Sequence, residues 1–158
     1  MISDNPEYLP RRATKGSAGY DFYSPREYQL GPDEWTEIDT GVRFTGKEKV
    51  IQAMWTRIAP QIPEADIAPF LPVGWYMEIV PRSGLATKYG LKLANTTGVI
   101  DQDYRKNIIV KVKTDVPYRL KEGERFVQGI VQPFCVFFDE IEPSRARKGG
   151  MGSTGEKK

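Results

Sequence analysis

The sequence predicts an all-β protein, a sandwich or a barrel built from short strands. Segments rich in aromatic and β-branched residues recur along the 158-residue chain, at 19–24, 27–30, 35–44, 75–81, 107–114 and 125–138. Turn residues bound them, among them Ser24-Pro25, Thr40-Gly41 and Pro117. The 15 glycines and 12 prolines, 27 residues together, are spread along the chain and indicate many turns. Short, closely spaced strands with such punctuation are typical of antiparallel β folds.

Individual segments support this interpretation. In 107–114 the residues alternate, with Ile108, Val110 and Val112 on one face, which predicts a half-buried strand. The segment SGLATKYG predicts one short helix after a strand, with Ser83 as its cap and Gly90 as its stop.

The strand pattern breaks at about 45–73. Apolar residues at helical spacing in 47–59 are followed by PQIPEADIAPFLP, whose four prolines cannot continue a helix. We interpret 45–73 as an inserted helix and a rigid proline-rich loop. The insert either packs its aromatic residues onto the barrel or binds a protein partner.

Composition narrows the chemistry. The chain has no histidine, which excludes histidine-containing triads and metal sites, so a general base must be a carboxylate, Lys or Tyr. A catalytic metal would then be a hard cation held by oxygen. The net charge of +2 is too small to indicate a positive electrostatic field that would attract nucleic acid. No apolar run is long enough for a membrane span. The single Cys135 excludes an internal disulfide and indicates a reducing compartment.

Three segments carry candidate chemistry. In PRSGLA, Arg82 and Ser83 lie where a helix begins, a combination that suits a phosphate group or a structural cap. In NTTGVIDQDYRKN, turn residues flank the apolar pair Val99-Ile100 and predict a β-hairpin. Exposed backbone groups of such a hairpin can form hydrogen bonds with a flat polar ring. One of Asp101 and Asp103 is a candidate general base. The alternative is that both are acidic residues at a hairpin tip with no catalytic role. Arg125 is either a surface residue or an inward cation that needs a carboxylate or phosphate.

Five motifs together resemble a known family. The chain contains, in order, AGYDF at 18–22, PRSGLA at 81–86, TGVIDQDYR at 97–105, ERFVQ at 124–128 and GGMGSTG at 149–155. In order and spacing they are similar to the motifs of the trimeric dUTP pyrophosphatases, the dUTPases. The resemblance covers most of the chain outside the insert.

The resemblance implies a jelly-roll-like β barrel at 1–144 and a flexible glycine-rich lid at 145–158. It implies a cytoplasmic homotrimer, in the host cytoplasm if the chain is viral or phage, with each active site shared between chains. It further implies Mg²⁺-dependent hydrolysis of dUTP to dUMP and pyrophosphate, which removes dUTP and supplies dUMP for thymidylate synthesis. Neither nucleic acid nor a membrane is expected as a partner.

The resemblance also implies roles for individual residues. Asp101 would activate the attacking water, Tyr104 would exclude a 2′-hydroxyl, and Asp21 would reach the metal through water. Arg82 would brace an acidic partner or the site wall. The substrate-binding set is Arg82, Ser83, Gly84, Asn95, Gly98, Val99, Ile100, Tyr104, Ile109, Gln128, Arg147, Met151, Gly152 and Ser153.

The C-terminal motif departs from the family pattern. Met151 stands where the family usually has a Phe over uracil, and Arg147 lies one residue nearer to that position than the family's Arg does. Arg147 is our choice for the γ-phosphate contact, with Arg145 and Lys148 as alternatives.

Two rival functions compete with this interpretation. The related dCTP deaminases share the fold and an RSGLA-like stretch but need a Glu base, whereas this chain has Asp101 and a glycine-rich end. The other rival is a non-enzymatic trimeric binding module.

Overall fold

A computed structural model describes residues 1–47 and 74–136. This part contains a 3₁₀ turn at Pro6–Tyr8 and one α-helix, α1, at Ser83–Tyr89. Its strands are β1 Ile2–Ser3, β2 Arg11–Arg12, β3 Gly19–Tyr23, β4 Tyr28–Leu30, β5 Thr36–Asp39, β6 Val42–Arg43, β7 Gly74–Pro81, β8 Lys92–Leu93, β9 Gly98–Asp101, β10 Ile109–Lys113, β11 Tyr118–Leu120 and β12 Arg125–Phe134. The prediction of an all-β fold with a short helix is confirmed.

The strands pair antiparallel in four hydrogen-bonded sheets within the described residues. The largest has the order β2-β3-β12-β7-β9, and a second has the order β5-β10-β8. Two strand pairs, β1-β6 and β4-β11, complete the set. The architecture is jelly-roll-like, but in these two stretches of chain the hydrogen bonding does not close one continuous barrel.

The pairing of β7 with β12 forms the centre of the largest sheet. Its register runs over eight residue pairs, from Val127 opposite Pro81 to Phe134 opposite Gly74. The other edge of β12 pairs with β3, and the other edge of β7 pairs with β9. One long two-strand ribbon therefore determines where β3, β9 and α1 lie.

The core lies between the sheets and contains mainly aliphatic and phenylalanine side chains. The largest fully buried ones are Phe22, Phe44, Phe126, Ile38, Met77, Ile79, Ile108 and Leu120. The alternation predicted for 107–114 is confirmed, because Val110 and Val112 of β10 are buried while Lys111 is exposed.

Helix α1 begins one residue earlier than the sequence pattern predicted. Arg82, not Ser83, is the N-cap: its backbone is extended, and its carbonyl accepts hydrogen bonds from the amides of Leu85 (3.1 Å) and Ala86 (2.9 Å). Ser83 is the first helical residue, and the Arg82 side chain makes no capping hydrogen bond. The predicted stop at Gly90 is correct, since this glycine has a φ of 67° in the left-handed region.

Several predictions fall outside the described residues. These are the inserted helix and proline-rich loop, apart from residues 45–47, and the C-terminal lid at 145–158. No helix in the described stretches has both the length and the apolar character needed to cross a bilayer.

Close packing inside the large sheet requires a glycine at position 129. A Cβ atom there would lie 2.4 Å from the Met77 sulfur and 2.9 Å from Cε2 of Phe22, both side chains of the core. We expect Gly129→Ala to lower the free energy of unfolding by about 1–3 kcal/mol, the usual cost of overpacking. Urea denaturation at matched protein concentration measures this. Gly31→Ala is the control, because a Cβ at Gly31 meets no atom within 4 Å; equal stability losses in both variants would refute the packing account.

Candidate active site

The PRSGLA motif lies at the C-terminal end of β7 and continues into α1. The Arg82 amide donates to the Phe126 carbonyl of β12 (3.1 Å), which fixes the point where the strand becomes helix. Ser83 and Gly84 follow on the first turn and are exposed. The first amides of an α-helix have no partner within the helix, so this turn presents N–H donors. A Cβ on Gly84 would meet no atom of residues 1–47 and 74–136 within 4 Å, so packing in this part of the chain does not require a glycine there.

Asp21 of β3 joins this turn to β12. Its carboxylate lies 2.9 Å from Nε of Arg82 and 3.1 Å from Nη1 of Arg125, one guanidinium on each oxygen. The Asp21 side chain is 8% exposed, while those of Arg82 and Arg125 are 32% and 44% exposed. Arg125 is thus a surface residue whose guanidinium reaches a buried carboxylate. A buried anion with two cations leaves this corner with a net positive charge, which favours an anionic ligand.

Gln128 belongs to the same end of the sheet. In the register it lies opposite Asp21 on one side and Val80 on the other. Its side chain covers Gly19, where a Cβ would lie 2.3 Å from Oε1 of Gln128. The glycine of the AGYDF motif therefore makes room for the Gln128 amide beside Asp21.

The GVID segment is an edge strand, not half of a hairpin. β9 pairs with β7, with Gly98 opposite Ile79 and Asp101 opposite Tyr76, while β8 and β10 pair with each other in the second sheet. The predicted hairpin is wrong because the strands that flank β9 in sequence join a different sheet. β9 is the last strand of its sheet in the described part of the chain. An edge strand directs backbone N–H and C=O groups outward, and the Val99 side chain beside them is 58% exposed.

Asn95 lies in the turn that leads into β9. This residue is exposed, and the following Thr96 has a φ of 61°, a left-handed backbone that marks a tight turn. Gly98 is buried, and a Cβ on it would lie 3.1 Å from Cβ of Ile79. The glycine therefore lets β9 approach β7 closely.

Asp101 and Tyr104 are joined by a turn. The Tyr104 amide donates to the Asp101 carbonyl (3.0 Å), and the Tyr104 hydroxyl donates to the Asn107 carbonyl (3.1 Å). Tyr104 is 6% exposed and packs in the core, whereas Asp101 is half-buried. Ile100 and Ile109, on either side of this turn, are also half-buried. The turn brings a carboxylate and an aromatic ring to one end of β9.

The described residues form two groups that are well separated in one chain. Asp101 lies opposite Tyr76 near the start of β7, while Arg82 follows its end. Six residues of strand span roughly 20 Å. Asp101 and the Ser83–Gly84 turn therefore cannot contact the same phosphorus atom within one protomer.

Other predicted site residues lie outside the described residues, namely Arg147, Met151, Gly152 and Ser153, with the alternatives Arg145 and Lys148. In the described ranges, no group of three or more His, Cys, Asp or Glu side chains is placed to hold a metal ion.

Sequence reasoning missed two features of the site. It gave Arg125 no partner, because the Asp21 carboxylate lies 104 residues away in the chain. It also assigned no role to Asn107, which accepts the Tyr104 hydroxyl bond and makes three further side-chain bonds. An Asn in a polar turn gives no sequence signal for such a network.

Comparisons with known proteins agree with the motifs. The family model described as dUTPase matches residues 59–155. The deoxyuridine 5′-triphosphate nucleotidohydrolase of Desulfitobacterium hafniense is 34% identical over 160 residues, which cover 96% of this chain and 90% of the relative.

Solved structures share the fold. The dUTPase from Streptococcus mutans superposes with a TM-score of 0.61 at 26% identity, over 85% of this chain and 92% of that one. The dUTPase of Staphylococcus bacteriophage 80alpha, solved with dUPNHPP, gives a TM-score of 0.62 at 23% identity, over 98% of this chain and 96% of that one. At 23% identity this second likeness concerns the fold alone. The family match, the relative and the motifs together establish that the chain belongs to the dUTPase family.

Proposed function

We propose that this protein hydrolyses dUTP to dUMP and pyrophosphate, removing dUTP and supplying dUMP for thymidylate synthesis. The observation that carries the proposal is the placement of the motifs of a dUTPase-family chain. The carboxylate of GVID lies beside an open strand edge, and Arg82 of the PRSGLA turn shares the buried Asp21 carboxylate with Arg125. One group suits a nucleoside, and the other suits a phosphate chain.

The edge of β9 would recognise uracil. Backbone N–H and C=O groups of Gly98, Val99 and Ile100 can pair with the polar edge of a flat ring, and the exposed Asn95 can add a side-chain amide. Cytosine presents an amino group where uracil has O4 and lacks the N3–H. A backbone edge that fits uracil would leave groups unpaired against cytosine, which is costly.

Asp101 would be the general base. It would accept a proton from a water molecule as the water oxygen bonds to the α-phosphorus and the bond to the pyrophosphate oxygen breaks. In-line water attack of this kind depends on alignment and charge stabilisation more than on covalent help. The Tyr104 ring, buried at the end of the turn that begins at Asp101, would pack against deoxyribose, with Ile109 at the start of β10 nearby in sequence.

The phosphate chain would bind at the start of α1. The Ser83 hydroxyl, the amides of Ser83 and Gly84 and the Gln128 amide are the donors that the geometry offers. Arg82 is already paired with Asp21, so its role would be to brace the turn and supply positive charge.

Mg²⁺ is the metal we propose, and the donor set fits one carried by substrate. The Asp21 carboxylate is 8% exposed and engaged by two guanidinium groups, so it can contact a metal only through water. Mg²⁺ is commonly held by one or two carboxylates together with substrate phosphates, and it keeps several waters. When bound it would neutralise charge on the triphosphate. A dUTPase from phage phi11 of S. aureus has been solved with a structural Mg(II) ion, which is consistent with this proposal.

A shared active site would reconcile the two separated groups. If Asp101 of one chain faces the Ser83–Gly84 turn of another, the roughly 20 Å gap within a protomer no longer matters. We therefore propose a homotrimer whose sites combine residues of different chains, a closed cyclic assembly. Residues 145–158, with Arg147 on the γ-phosphate and Met151, Gly152 and Ser153 over the substrate, would close the site as a lid.

Two further proposals complete this account. The 45–73 insert would be the contact for any protein partner, and no role for nucleic acid or a membrane is proposed. The location would be cytoplasmic, in the host cell if the source is viral or phage, since one cysteine suits a reducing compartment.

We expect Asp101→Asn to lower kcat for dUTP by about 10²–10⁴-fold, because the amide cannot accept the proton of the attacking water. The KM for dUTP should change much less. Pyrophosphate release with Mg²⁺ and dUTP measures both constants. Asp33→Asn, an exposed aspartate in the turn after β4, is the matched control and should behave as wild type. Near wild-type turnover by Asp101→Asn would contradict the assignment.

Gly84→Ala separates ligand binding from folding. A methyl group there meets no atom of the described residues within 4 Å, and Ala is the better helix former, so the free energy of unfolding should stay the same or rise by up to about 1 kcal/mol. If phosphate or a neighbouring chain approaches this backbone closely, the KM for dUTP should rise by about tenfold or more. Gly16→Ala, which also meets no atom within 4 Å, is the control. Unchanged kinetics for Gly84→Ala would place the phosphate chain elsewhere.

A further inference from the structure

The side chain of Asn107 is held by three hydrogen bonds. Its Nδ2 donates to Oδ2 of Asp4 (3.2 Å) and to Oδ2 of Asp39 (3.3 Å). Its Oδ1 accepts from Nη1 of Arg43 (3.1 Å). Because carboxylates can only accept and a guanidinium can only donate, these partners fix which end of the amide is which. A planar amide held at both ends has little rotational freedom left.

The partners of Asn107 are fixed in turn to the body of the protein. Arg43 of β6 lies 2.6 Å from Oδ1 of Asp4, and the Asp4 amide donates to the Gly41 carbonyl (2.9 Å). Oδ1 of Asp39 accepts from the Gly41 amide (2.9 Å). The Arg43 guanidinium, and secondarily the Asn107 amide, lower the pKa of Asp4 below its usual value. We call Asp4, Asp39, Arg43 and Asn107 the Asn107 network.

The backbone immediately after Asn107 is fixed as well. The Ile108 amide donates to the Val42 carbonyl (2.7 Å), and the Ile108 carbonyl accepts from the Thr40 amide (3.1 Å) and the Thr40 hydroxyl (2.8 Å). The peptide carbonyl of Asn107 is thereby held from both sides, by its own side chain and by the next residue. That carbonyl is the acceptor of the Tyr104 hydroxyl, at 3.1 Å.

We infer that Asn107 is a positioning residue that sets the preference for a deoxyribonucleotide over a ribonucleotide. Through its carbonyl it fixes the tilt of the Tyr104 ring, and this ring closes the space that a 2′-hydroxyl would need. The inference rests on the proposed function, because it assumes that the sugar packs on Tyr104. Exclusion of one oxygen atom depends on a displacement of about 1 Å, so a loosened ring would admit it. Asn107 itself would not touch the substrate.

The test compares kcat/KM for dUTP and for UTP. Asn107→Ala keeps the carbonyl that accepts from Tyr104 but removes the side chain that holds this residue in place, so the ratio of the two should fall about fivefold, as if the Tyr104 hydrogen bond were lost. Tyr104→Phe, which lacks the hydroxyl, should lower the ratio by a similar factor. The double variant should be no worse than Tyr104→Phe alone, because without the hydroxyl the position of the Asn107 carbonyl no longer acts on the ring. Glu27→Gln is the control: it breaks an exposed ion pair of 2.6 Å with Arg119, away from the network, and should leave the ratio unchanged.

Each failure has a distinct signature. The inference would be overturned, while the proposed function stands, if Asn107→Ala kept the wild-type ratio of kcat/KM for dUTP and UTP. It would also be overturned if the losses in this ratio multiplied in the double variant. If Asn107→Ala does not fold, Asp4→Ala replaces it, since Asp4 is exposed and its loss removes one of the three bonds; an unchanged ratio there also overturns the inference. If wild type does not prefer dUTP, or Tyr104→Ala retains the preference, the proposed role of Tyr104 fails and the inference fails with it.

Discussion

The long antiparallel pairing of β7 with β12 is the constraint on which the rest of the structure depends. Its eight-residue register fixes β3 on one side and β9 on the other. β7 ends next to α1, whereas the register of β7 with β9 places Asp101 near the start of β7. The two chemical groups of the candidate site are therefore held apart by regular strand within one chain, and the proposed association of chains is what would bring them together.

Electrostatics adds a second level of organisation around Asp21. Asp21 is buried and holds Arg82 and Arg125, one on each carboxylate oxygen. A buried ion pair contributes little net stability, because desolvation offsets the attraction. Here the pairing of Asp21 with Arg82 and Arg125 holds the first turn of α1 against β12, and the second arginine leaves an excess positive charge. Such a preformed site would lose little entropy when it binds a triphosphate.

Local patterns in the sequence predicted much of this molecule, and contacts between distant residues account for what they missed. The alternation at 108–112 predicted β10, and Gly90 predicted the helix end, because both depend on neighbouring residues. The start of α1 was misplaced because the Arg82 carbonyl, not a side chain, receives the first bonds. The hairpin prediction was wrong because the pairing partner of a strand depends on the arrangement of the whole sheet and not on the neighbouring sequence. No local signal could connect Asp21 with Arg125, or Asn107 with Asp4, each about 100 residues apart.

The central claim is that Asp101 and the Ser83–Gly84 turn act on one substrate from different chains, and subunit mixing tests it most directly. Asp101→Asn and Gly84→Val chains, each expected to have lost most of its activity alone, would be unfolded together and refolded as an equal mixture. In a trimer with shared sites, random association restores both intact groups in about a quarter of the sites, so about a quarter of wild-type dUTP hydrolysis should return. If each chain builds its own site, no mixture contains an intact one. A mixture that remains as inactive as its two components would contradict the account.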